Sequence, residues 1–411
     1  MTVLEKFAAQ ILSPPAADHL RIEDKLRLHL ADTKIAIAAG AASSEGRELA
    51  DGGKKPALLG ETLLDRIALK VAQTRLTEID DIHMASCTTV GSVIVPVTLE
   101  LAAEIGARDA EIAAALRAGY DATVRLGCAV DGARILYKGI WPTYLTAPFG
   151  AAAAAAVLLG LDAPRTAQAL ALALSQVSGA PGGPAPGRNP RWLLAGWAAA
   201  AGVRAALAAR EGFGGDLSLL DGDWFAKTHG IAFDPAKLAG APGSSLLEMS
   251  IKPWCTAKQA CSALAAFIDL LDDGLQPQDI AAVRIHLPPA YRAMIAHQPP
   301  GRIGRIVSIG WQCAVAAFHR DALYDIERSD YSGEPLFAAL MNKVDVLEDQ
   351  SLTEHFPQRY PARVVVELNS GATRDKIIID APGDPSRDFT MTEVEAKGHA
   401  VAVAAAVATK H

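Results

Sequence analysis

The chain has 411 residues, half of them hydrophobic, and a mean hydropathy of +0.18, which is enough for two or three domains with a large core. Aromatic residues make up only 6% while alanine is abundant, a composition that favours closely packed helices over a β-sandwich. The net charge is -7 and no block of Lys and Arg stands out, which argues against a nucleic-acid partner.

Cysteine usage and the N-terminal sequence bear on compartment and on metal sites. The five cysteines are Cys87, Cys128, Cys255, Cys261 and Cys313. Their number is odd, their spacing is wide and no CxxC pair occurs, which argues against a disulfide framework and against a structural zinc site. No signal peptide is recognisable, and the longest apolar run, 147–161, is shorter than the roughly 20 residues that span a bilayer. The sequence therefore predicts a soluble, cytoplasmic protein without a membrane partner.

Helical periodicity dominates the first 210 residues. The predicted helices cover residues 2–12, 19–39, 58–73, 93–105, 110–126, 151–159, 163–176 and 191–210. Loops are predicted at 43–55, which is polar and rich in glycine, and at 137–150, where Pro142 and Pro148 act as breakers. A third loop is predicted at 178–190, because four prolines and four glycines in this stretch exclude regular structure.

The pattern changes after about residue 243. Strands are predicted at 283–287, 362–368 and 376–379, with a hairpin turn at 369–371. Helices at 257–271 and 309–317 alternate with these strands, and the tail at 392–409 is helical again. The fold class is therefore mainly α with a second, α+β domain: a helical domain at 1–245, to which 392–411 returns, and an α/β domain at 246–391.

Standard cofactor motifs are missing from the sequence. No GxGxxG follows a strand, and there is no Walker loop, no HExxH and no GxSxG. The glycine-rich loop at 178–190 is a poor phosphate cradle, because its prolines remove the N–H donors that a cradle needs. We therefore expect no cofactor.

The first candidate site is the densest group of acids, imidazole and hydroxyls in the chain. Asp80, Asp81 and His83 are followed closely by the run Ser86, Cys87, Thr88 and Thr89. An acid beside an imidazole can abstract a proton next to a carboxylate, or return one to a leaving hydroxide. The alternative is structural: an aspartate that caps a helix, with an exposed histidine. A metal site needs further ligands that the sequence does not indicate.

The second candidate site follows residue 250. Lys252 precedes a proline, so the chain is extended there, and Trp254 leads into a helix that carries Lys258 and Gln259. A lysine on a rigid loop can hold a substrate carboxylate or stabilise an enolate-like charge. The alternative is a solvated lysine at a domain boundary. For Cys255 we expect a buried, inert thiol, since no base can be assigned to it.

The third candidate group consists of cations and polar residues near the predicted loops. Arg188 and Arg191 can each clamp a carboxylate with two parallel hydrogen bonds, although ordinary surface arginines have the same sequence signal. Lys138, Trp141 and Thr143 lie in the loop before the alanine-rich helix and are candidates of the same kind.

Several short motifs occur in a shared order over some 250 residues. They are Asp32 and Thr33 with Ala39 and Gly40; 79–83 (IDDIH); 91–96; Gly119 and Tyr120 with 125–127 (RLG); 139–143 (GIWPT); 160–162; 196–202; 212–215; and 251–254 (IKPW). In this order they resemble the MmgE/PrpD family, which includes 2-methylcitrate dehydratase, cis-aconitate decarboxylase and iminodisuccinate epimerase. The resemblance runs nearly end to end.

The chain departs from the family pattern at several site histidines. Thr88, Thr89 and Val90 stand where the family has a His-Pro pair, and Trp141 stands at the histidine of the GxHPT loop. Arg191 replaces a lysine before the AG helix, and the histidine beyond the KPY lysine is also absent, since residues 257–259 read AKQ. The best residues to carry over are Asp80, Asp81, His83 and Lys252.

The resemblance implies a large all-helical domain, a smaller α/β lid domain, a homodimer and an active site in the cleft between the domains. It implies a cofactor-independent lyase, a dehydratase or decarboxylase, acting on a small di- or tricarboxylate. Asp81 or His83 would remove the proton next to a carboxylate, Lys252 would stabilise the developing charge, and Thr88, Thr89, Arg191, Lys258 and Gln259 would orient the carboxylates. Epimerisation, carboxylate binding without turnover and a metal-dependent hydro-lyase stay open as alternatives.

Overall fold

The computed structural model of the chain describes residues 1–14, 18–53, 61–177, 191–296 and 301–408. The predicted loop at 178–190, with Arg188, lies outside the described residues. The chain forms two compact units, Met1–Met249 and Ser250–His411. Each unit is described on its own below.

The first unit is built from helices that pack around alanine-rich contacts. Its helices are α1 (Val3–Ile11), α2 (His19–Ala42), α3 (Ser44–Gly53), α4 (Leu63–Arg75), α5 (Gly91–Ile105), α6 (Asp109–Ala129), α7 (Gly132–Ile135), α8 (Pro142–Leu158), α9 (Ala163–Leu174), α10 (Arg191–Arg210) and α11 (Trp224–His229). A short strand, β1 (Ile82–His83), precedes α5, and a second, β2 (Met249–Ser250), lies at the boundary between the units.

Helix α8 lies at the centre of the first unit. Almost every residue of α8 is buried, and it packs against α5, α6, α9 and α10. Its small alanine side chains allow this many neighbours to approach closely, while Phe149 stacks on Phe7 of α1 with ring centroids 5.5 Å apart. The predicted helix-rich first domain is confirmed in this part of the chain.

Two predicted loops of the first unit are helical in the structure. The predicted loop at 43–55 contains α3, because Gly46 has no side chain to collide with the Gly40 carbonyl oxygen, which would lie 1.8 Å from an added Cβ. The predicted loop at 137–150 contains the start of α8, because Pro142 occupies the first helical turn, where no N–H is needed. Pro148 lies inside the helix although proline usually interrupts helices. Burial of nearly every residue of α8 stabilises the helix despite this proline.

The second unit combines helices with one four-stranded sheet. Its helices are α12 (Lys258–Asp272), α13 (Pro289–Ala296), α14 (Arg302–Val307), α15 (Ile309–Phe318), α16 (Pro335–Met341) and α17 (Met391–Ala408). Its sheet strands are β3 (Ile280–Leu287), β4 (Val344–Glu348), β5 (Ala362–Leu368) and β6 (Thr373–Ile378).

The sheet has the strand order β4-β3-β5-β6 and is mixed, since β3 pairs parallel with β4 and antiparallel with β5, which pairs antiparallel with β6. The predicted hairpin between β5 and β6 is confirmed: the Gly371 N–H donates to the Leu368 carbonyl at 2.8 Å. Strand β4 escaped sequence analysis because it is an edge strand of five residues without a fully buried face.

The fold class predicted from the sequence is confirmed: a large helical part is followed by a smaller α/β part. The C-terminal helix α17, which the sequence assigns to the first domain, groups here with the second unit and packs against the turn Arg320–Tyr324. The unit boundary lies at residues 249 and 250.

One helix among the described residues is long and apolar enough to cross a membrane by length and composition alone. It is α10, with a hydropathy of 1.4, and 56% of its apolar window is buried inside the protein. A mostly buried core helix of a soluble protein has the same features, so α10 is compatible with a soluble chain.

Candidate functional site

The loop between α4 and α5 carries the candidate acids and the histidine. Asp80, Asp81 and His83 are all buried there, but they belong to three different groups of hydrogen-bonded side chains. We name these groups the Asp81 cluster (His29, Asp81, Gly91, Tyr120), the His83 cluster (His83, Ser86, Thr88, Cys128, Glu248) and the arginine cluster (Arg75, Glu78, Asp80, Trp141, Tyr144, Arg191, Trp192).

The Asp81 cluster uses both oxygens of its carboxylate. Asp81 Oδ1 accepts the Gly91 N–H at 2.6 Å, and Oδ2 accepts the Tyr120 hydroxyl at 2.8 Å and lies 3.0 Å from His29 Nδ1. Burial and the nearby Asp81 charge raise the pKa of Tyr120 well above its usual range, so the phenol stays a proton donor. The carboxylate thus binds the N–H of the first residue of α5, which is a capping role, and both of its oxygens are engaged.

The His83 cluster contains an ion pair that reaches solvent. His83 Nδ1 lies 2.9 Å from Ser86 Oγ, and Nε2 lies 3.3 Å from Glu248 Oε2. Burial lowers the pKa of His83, but hydrogen bonding to Cys128 and Glu248 outweighs it and raises the pKa to about 9. The same contact with His83 lowers the pKa of Glu248. His83 is therefore a charged proton donor at neutral pH, buried rather than exposed, while the Glu248 side chain is 72% exposed.

Glu248 is held near His83 by a network on α6. Asp121 accepts the Gly243 N–H at 2.6 Å and the Ser245 N–H at 3.2 Å, and it pairs with Arg125 at 3.0 Å. Arg125 in turn donates to the Gly240 carbonyl at 3.2 Å. These bonds fix the segment before Glu248 on the helix that also carries Cys128. Sequence analysis missed Glu248, because no local motif marks an acid that lies 165 residues from its histidine.

The arginine cluster contains two guanidinium groups and two carboxylates in the protein interior. Arg75 donates to Asp80 Oδ1 at 3.3 Å and lies 3.1 Å from Glu78 Oε1. Arg191 lies 3.5 Å from the same Glu78 oxygen. Burial lowers the pKa of Arg75, but the charges of Asp80 and Glu78 outweigh it and raise the pKa, so this group is a permanent cation. Glu78 has φ of 55°, a left-handed conformation that is uncommon for a residue other than glycine.

Aromatic rings enclose the two arginines. The Arg191 Cζ atom lies 3.9 Å from the centroid of the Trp141 ring and 4.8 Å from that of Trp192, and the Arg75 Cζ lies 5.5 Å from the Trp192 centroid. Trp141 stacks on Tyr144 with centroids 6.0 Å apart. Burial raises the pKa of Tyr144, so its phenol remains protonated. The structure thus brings together Asp80, Trp141 and Arg191, three of the residues that the sequence singles out.

The two predicted threonines belong to different surroundings. Thr88 Oγ1 lies 2.6 Å from Ser86 Oγ in the His83 cluster. The Thr89 N–H donates to Thr143 Oγ1 at 3.1 Å, and Thr143 lies on α8 between Trp141 and Tyr144. Lys138 is exposed on the turn Leu136–Lys138.

The predicted residues of the second unit lie on a segment that is bound at both ends. Ile251 donates its N–H to the Gly383 carbonyl at 2.9 Å, and Lys258 pairs with Asp384. Lys252 has a relative exposure of only 1%, so the alternative of a solvated lysine is wrong.

The other predicted residues of this segment, Trp254, Gln259 and Cys255, are buried as well. Lys258 cannot orient a carboxylate without exchanging Asp384, whose Oδ2 also accepts the Ala381 N–H at 2.8 Å. The expected burial of the Cys255 thiol is confirmed.

No group of three or more His, Cys, Asp or Glu side chains within the described ranges is arranged to hold a metal ion. All five cysteines fall in those ranges and are free thiols. The polar chemistry of the three clusters is therefore that of proton donors, carboxylates and guanidinium groups.

Family models match most of the chain. The MmgE/PrpD N-terminal domain matches residues 70–233, and the MmgE/PrpD C-terminal domain matches residues 255–410. The chain belongs to the MmgE/PrpD family. This family includes dehydratases and related enzymes and is largely enzymatic. No curated protein matches the chain in a sequence search.

The MmgE/PrpD N-terminal match covers all three polar clusters except His29 and Glu248. Sequence analysis missed five of the residues that complete them: His29, Arg75, Tyr120, Tyr144 and Trp192. Arg75 and Trp192 are each close in sequence to a predicted site residue, which was the available signal. His29 and Tyr120 come from distant helices, and only the tertiary packing brings them to Asp81.

Proposed function

We propose that this MmgE/PrpD chain is a cofactor-independent lyase that acts on a small di- or tricarboxylate. The observation that carries the proposal is the buried, charged His83 in contact with the solvent-exposed carboxylate of Glu248. A general acid next to a general base is what the elimination of water beside a carboxylate requires. In a family that includes dehydratases, this pair supports a dehydration.

The geometry favours particular roles within this pair. Asp81 is a weak candidate for the base, because three hydrogen-bonding groups already contact its carboxylate. His83 is a weak base as well, since it is already protonated below pH 9. Glu248 is therefore the group that we assign to proton abstraction, and His83 the group that we assign to protonation of the leaving hydroxide.

The remaining roles follow charge and hydrogen-bonding capacity. The Lys252 ammonium group would stabilise the negative charge that develops when the proton leaves. Arg191 would hold a substrate carboxylate, because a guanidinium group binds carboxylates through two parallel hydrogen bonds and does not lose its proton. Thr88 and Thr89 would orient the substrate through their hydroxyl groups. We further propose that the enzyme works as a cytoplasmic homodimer without a cofactor.

Two alternatives concern the same ligand class. An isomerase needs proton-transfer groups on both faces of the substrate, and a single acid–base pair favours a lyase over it. A member that binds a carboxylate without turnover is favoured by Trp141 and Arg191, which stand where the family has a histidine and a lysine. Neither tryptophan nor arginine can transfer a proton at neutral pH.

Proton exchange tests the proposal. The purified protein is incubated in deuterated water with a panel of di- and tricarboxylates, and the substrate C–H signals are followed by NMR. We expect deuterium incorporation or product formation in the wild type and a loss of at least 100-fold in Glu248→Gln and in His83→Gln. The matched control is Glu334→Gln, which removes the acid of another His–Glu pair, with His319 at 2.8 Å, and should exchange like the wild type.

Exchange that persists in Glu248→Gln would contradict the assignment of the base. Binding of a carboxylate by the wild type without any exchange or product would contradict the lyase and support the member that binds without turnover.

A further inference from the structure

The arginine cluster contains more hydrogen-bond donors than its acceptors satisfy. Three donors of the cluster have no hydrogen-bond acceptor within the part of the chain that the structure describes. They are Arg75 Nε–H, Trp192 Nε1–H and the Tyr144 hydroxyl. All three side chains are at least 98% buried. A buried donor without an acceptor is costly, so the three donors together indicate a group that takes an acceptor-rich ligand.

One acceptor of the cluster, a carboxylate oxygen of Glu78, contacts both cations. Glu78 Oε1 lies 3.1 Å from Arg75 and 3.5 Å from Arg191, so a single carboxylate oxygen is shared by two guanidinium groups. Each guanidinium group can hold a carboxylate with two parallel bonds. The left-handed backbone at Glu78 is a costly conformation of the kind that is concentrated at ligand-binding sites.

We propose that Arg75 and Arg191 form a carboxylate-binding site, with Tyr144 and Trp192 as additional donors, and that Glu78 competes with the ligand as an internal carboxylate. The cluster is electrically balanced by Glu78 and Asp80. A ligand carboxylate that enters it adds a negative charge in a buried setting, which is unfavourable unless Glu78 withdraws. Glu78 therefore sets the affinity for the ligand, and only a ligand that contacts both arginines displaces it.

This inference deepens the proposed function, since it rests on a carboxylate as the ligand and adds Arg75, Glu78, Tyr144 and Trp192 to the residues that recognise it. The charge and shape of the site favour a planar carboxylate. The rings of Trp141 and Trp192 hold the Arg191 guanidinium group, so this cation cannot readily turn to follow a ligand of another shape.

Because Glu78 competes with the ligand, we expect its removal to strengthen carboxylate binding. Binding of citrate, succinate and inorganic phosphate is measured by titration calorimetry, which needs no turnover. We expect Glu78→Gln to bind succinate or citrate at least 10-fold more tightly than the wild type, because Gln removes the charge that repels the ligand. Glu100→Gln is the matched control, since Glu100 also bridges two cations, Arg66 and Lys70. We expect this variant to bind succinate and citrate with the same affinity as the wild type.

A second variant covers the case in which Glu78→Gln does not fold. Trp192→Phe keeps the ring and removes only the Nε1–H donor, and we expect it to bind the same carboxylate 3- to 10-fold more weakly. Unchanged affinity in Trp192→Phe, weaker binding in a folded Glu78→Gln, or phosphate binding as tight as carboxylate binding would overturn the inference. Tighter carboxylate binding in Glu78→Gln, together with no proton exchange in the wild type, would support the inference and contradict the lyase. Proton exchange in the wild type, together with unchanged affinities in the variants, would support the lyase and contradict the inference.

Discussion

Asp80 and Asp81 are neighbours in the chain, yet they belong to regions of opposite character. In the Asp81 cluster, two helices and the start of a third supply hydrogen-bonding groups to one carboxylate, and both of its oxygens are in use. In the arginine cluster, two guanidinium groups share one oxygen of Glu78, and buried donors of Arg75, Tyr144 and Trp192 have no acceptor among the described residues. The comparison teaches that burial of an acid does not by itself identify a catalytic group. Among the described residues, the two regions differ in the number of buried polar groups without a hydrogen bond: Arg75 Nε, Trp192 Nε1 and the Tyr144 hydroxyl in the arginine cluster, against His29 Nε2 in the Asp81 cluster.

The largest expected effect is the loss of stability in Asp81→Asn. The amide has one acceptor oxygen in place of two, so at least one of His29, Tyr120 and the Gly91 N–H loses its bond inside the core. We expect a loss of about 3 kcal/mol in the free energy of unfolding. Urea denaturation followed by circular dichroism measures it, and a loss below about 1 kcal/mol would contradict the structural role of this cluster.

A smaller loss in the free energy of unfolding is expected for Gly91→Ala, which adds a methyl group beside the Asp81 carboxylate. An added Cβ would lie 2.4 Å from Thr33 Oγ1 and 2.9 Å from both Asp81 oxygens, so the start of α5 must shift. We expect about 2 kcal/mol of destabilisation from overpacking. Gly222→Ala is the control, since an added Cβ there meets nothing within 4 Å. Equal melting temperatures of the two variants would show that the cluster is less tightly packed than described.

The His83 cluster should make stability depend on pH. Because the pKa of His83 is raised to about 9 in the folded protein, its contribution is complete below about pH 6.5 and is lost as the pH rises through 9. After allowance for the exposure of Glu248, we expect a decrease of about 1 kcal/mol across this window. Urea titrations at pH 6, 7.5 and 9 measure it. The slope should flatten in Glu248→Gln, and an unchanged slope would contradict the ion pair.

The smallest effect is expected for Lys138→Ala. Sequence analysis names Lys138 as a substrate-binding residue, but the side chain is exposed and lies outside the three clusters. We expect a change in stability within about 0.5 kcal/mol and no change in proton exchange. A clear loss of exchange rate would extend the site beyond the buried clusters.

The sequence predicts the fold well wherever local patterns decide it. The amphipathic helices and the hairpin at Gly371 depend on periodicity and turn residues, which are local. The start of α8 at Pro142 and the helix at Ser44–Gly53 could not be predicted, because packing against other helices determines them. The partners of the site residues are the least predictable part, since His29 reaches Asp81 across 52 residues and Glu248 reaches His83 across 165.

Resemblance to a family also predicted only part of the site. It singled out Asp80, Asp81, His83 and Lys252 as one catalytic set, but hydrogen bonding divides the first three among separate clusters. Motif spacing records the order of residues and carries no information on which side chains share a hydrogen bond.

The most direct test compares proton exchange per folded molecule in Asp81→Asn and in Glu248→Gln. Both are measured by NMR in deuterated water at a temperature where circular dichroism shows the variants folded. The account predicts that folded Asp81→Asn exchanges at close to the wild-type rate, while Glu248→Gln loses at least 100-fold. Loss of exchange in folded Asp81→Asn together with normal exchange in Glu248→Gln would contradict it and would make Asp81 the catalytic base.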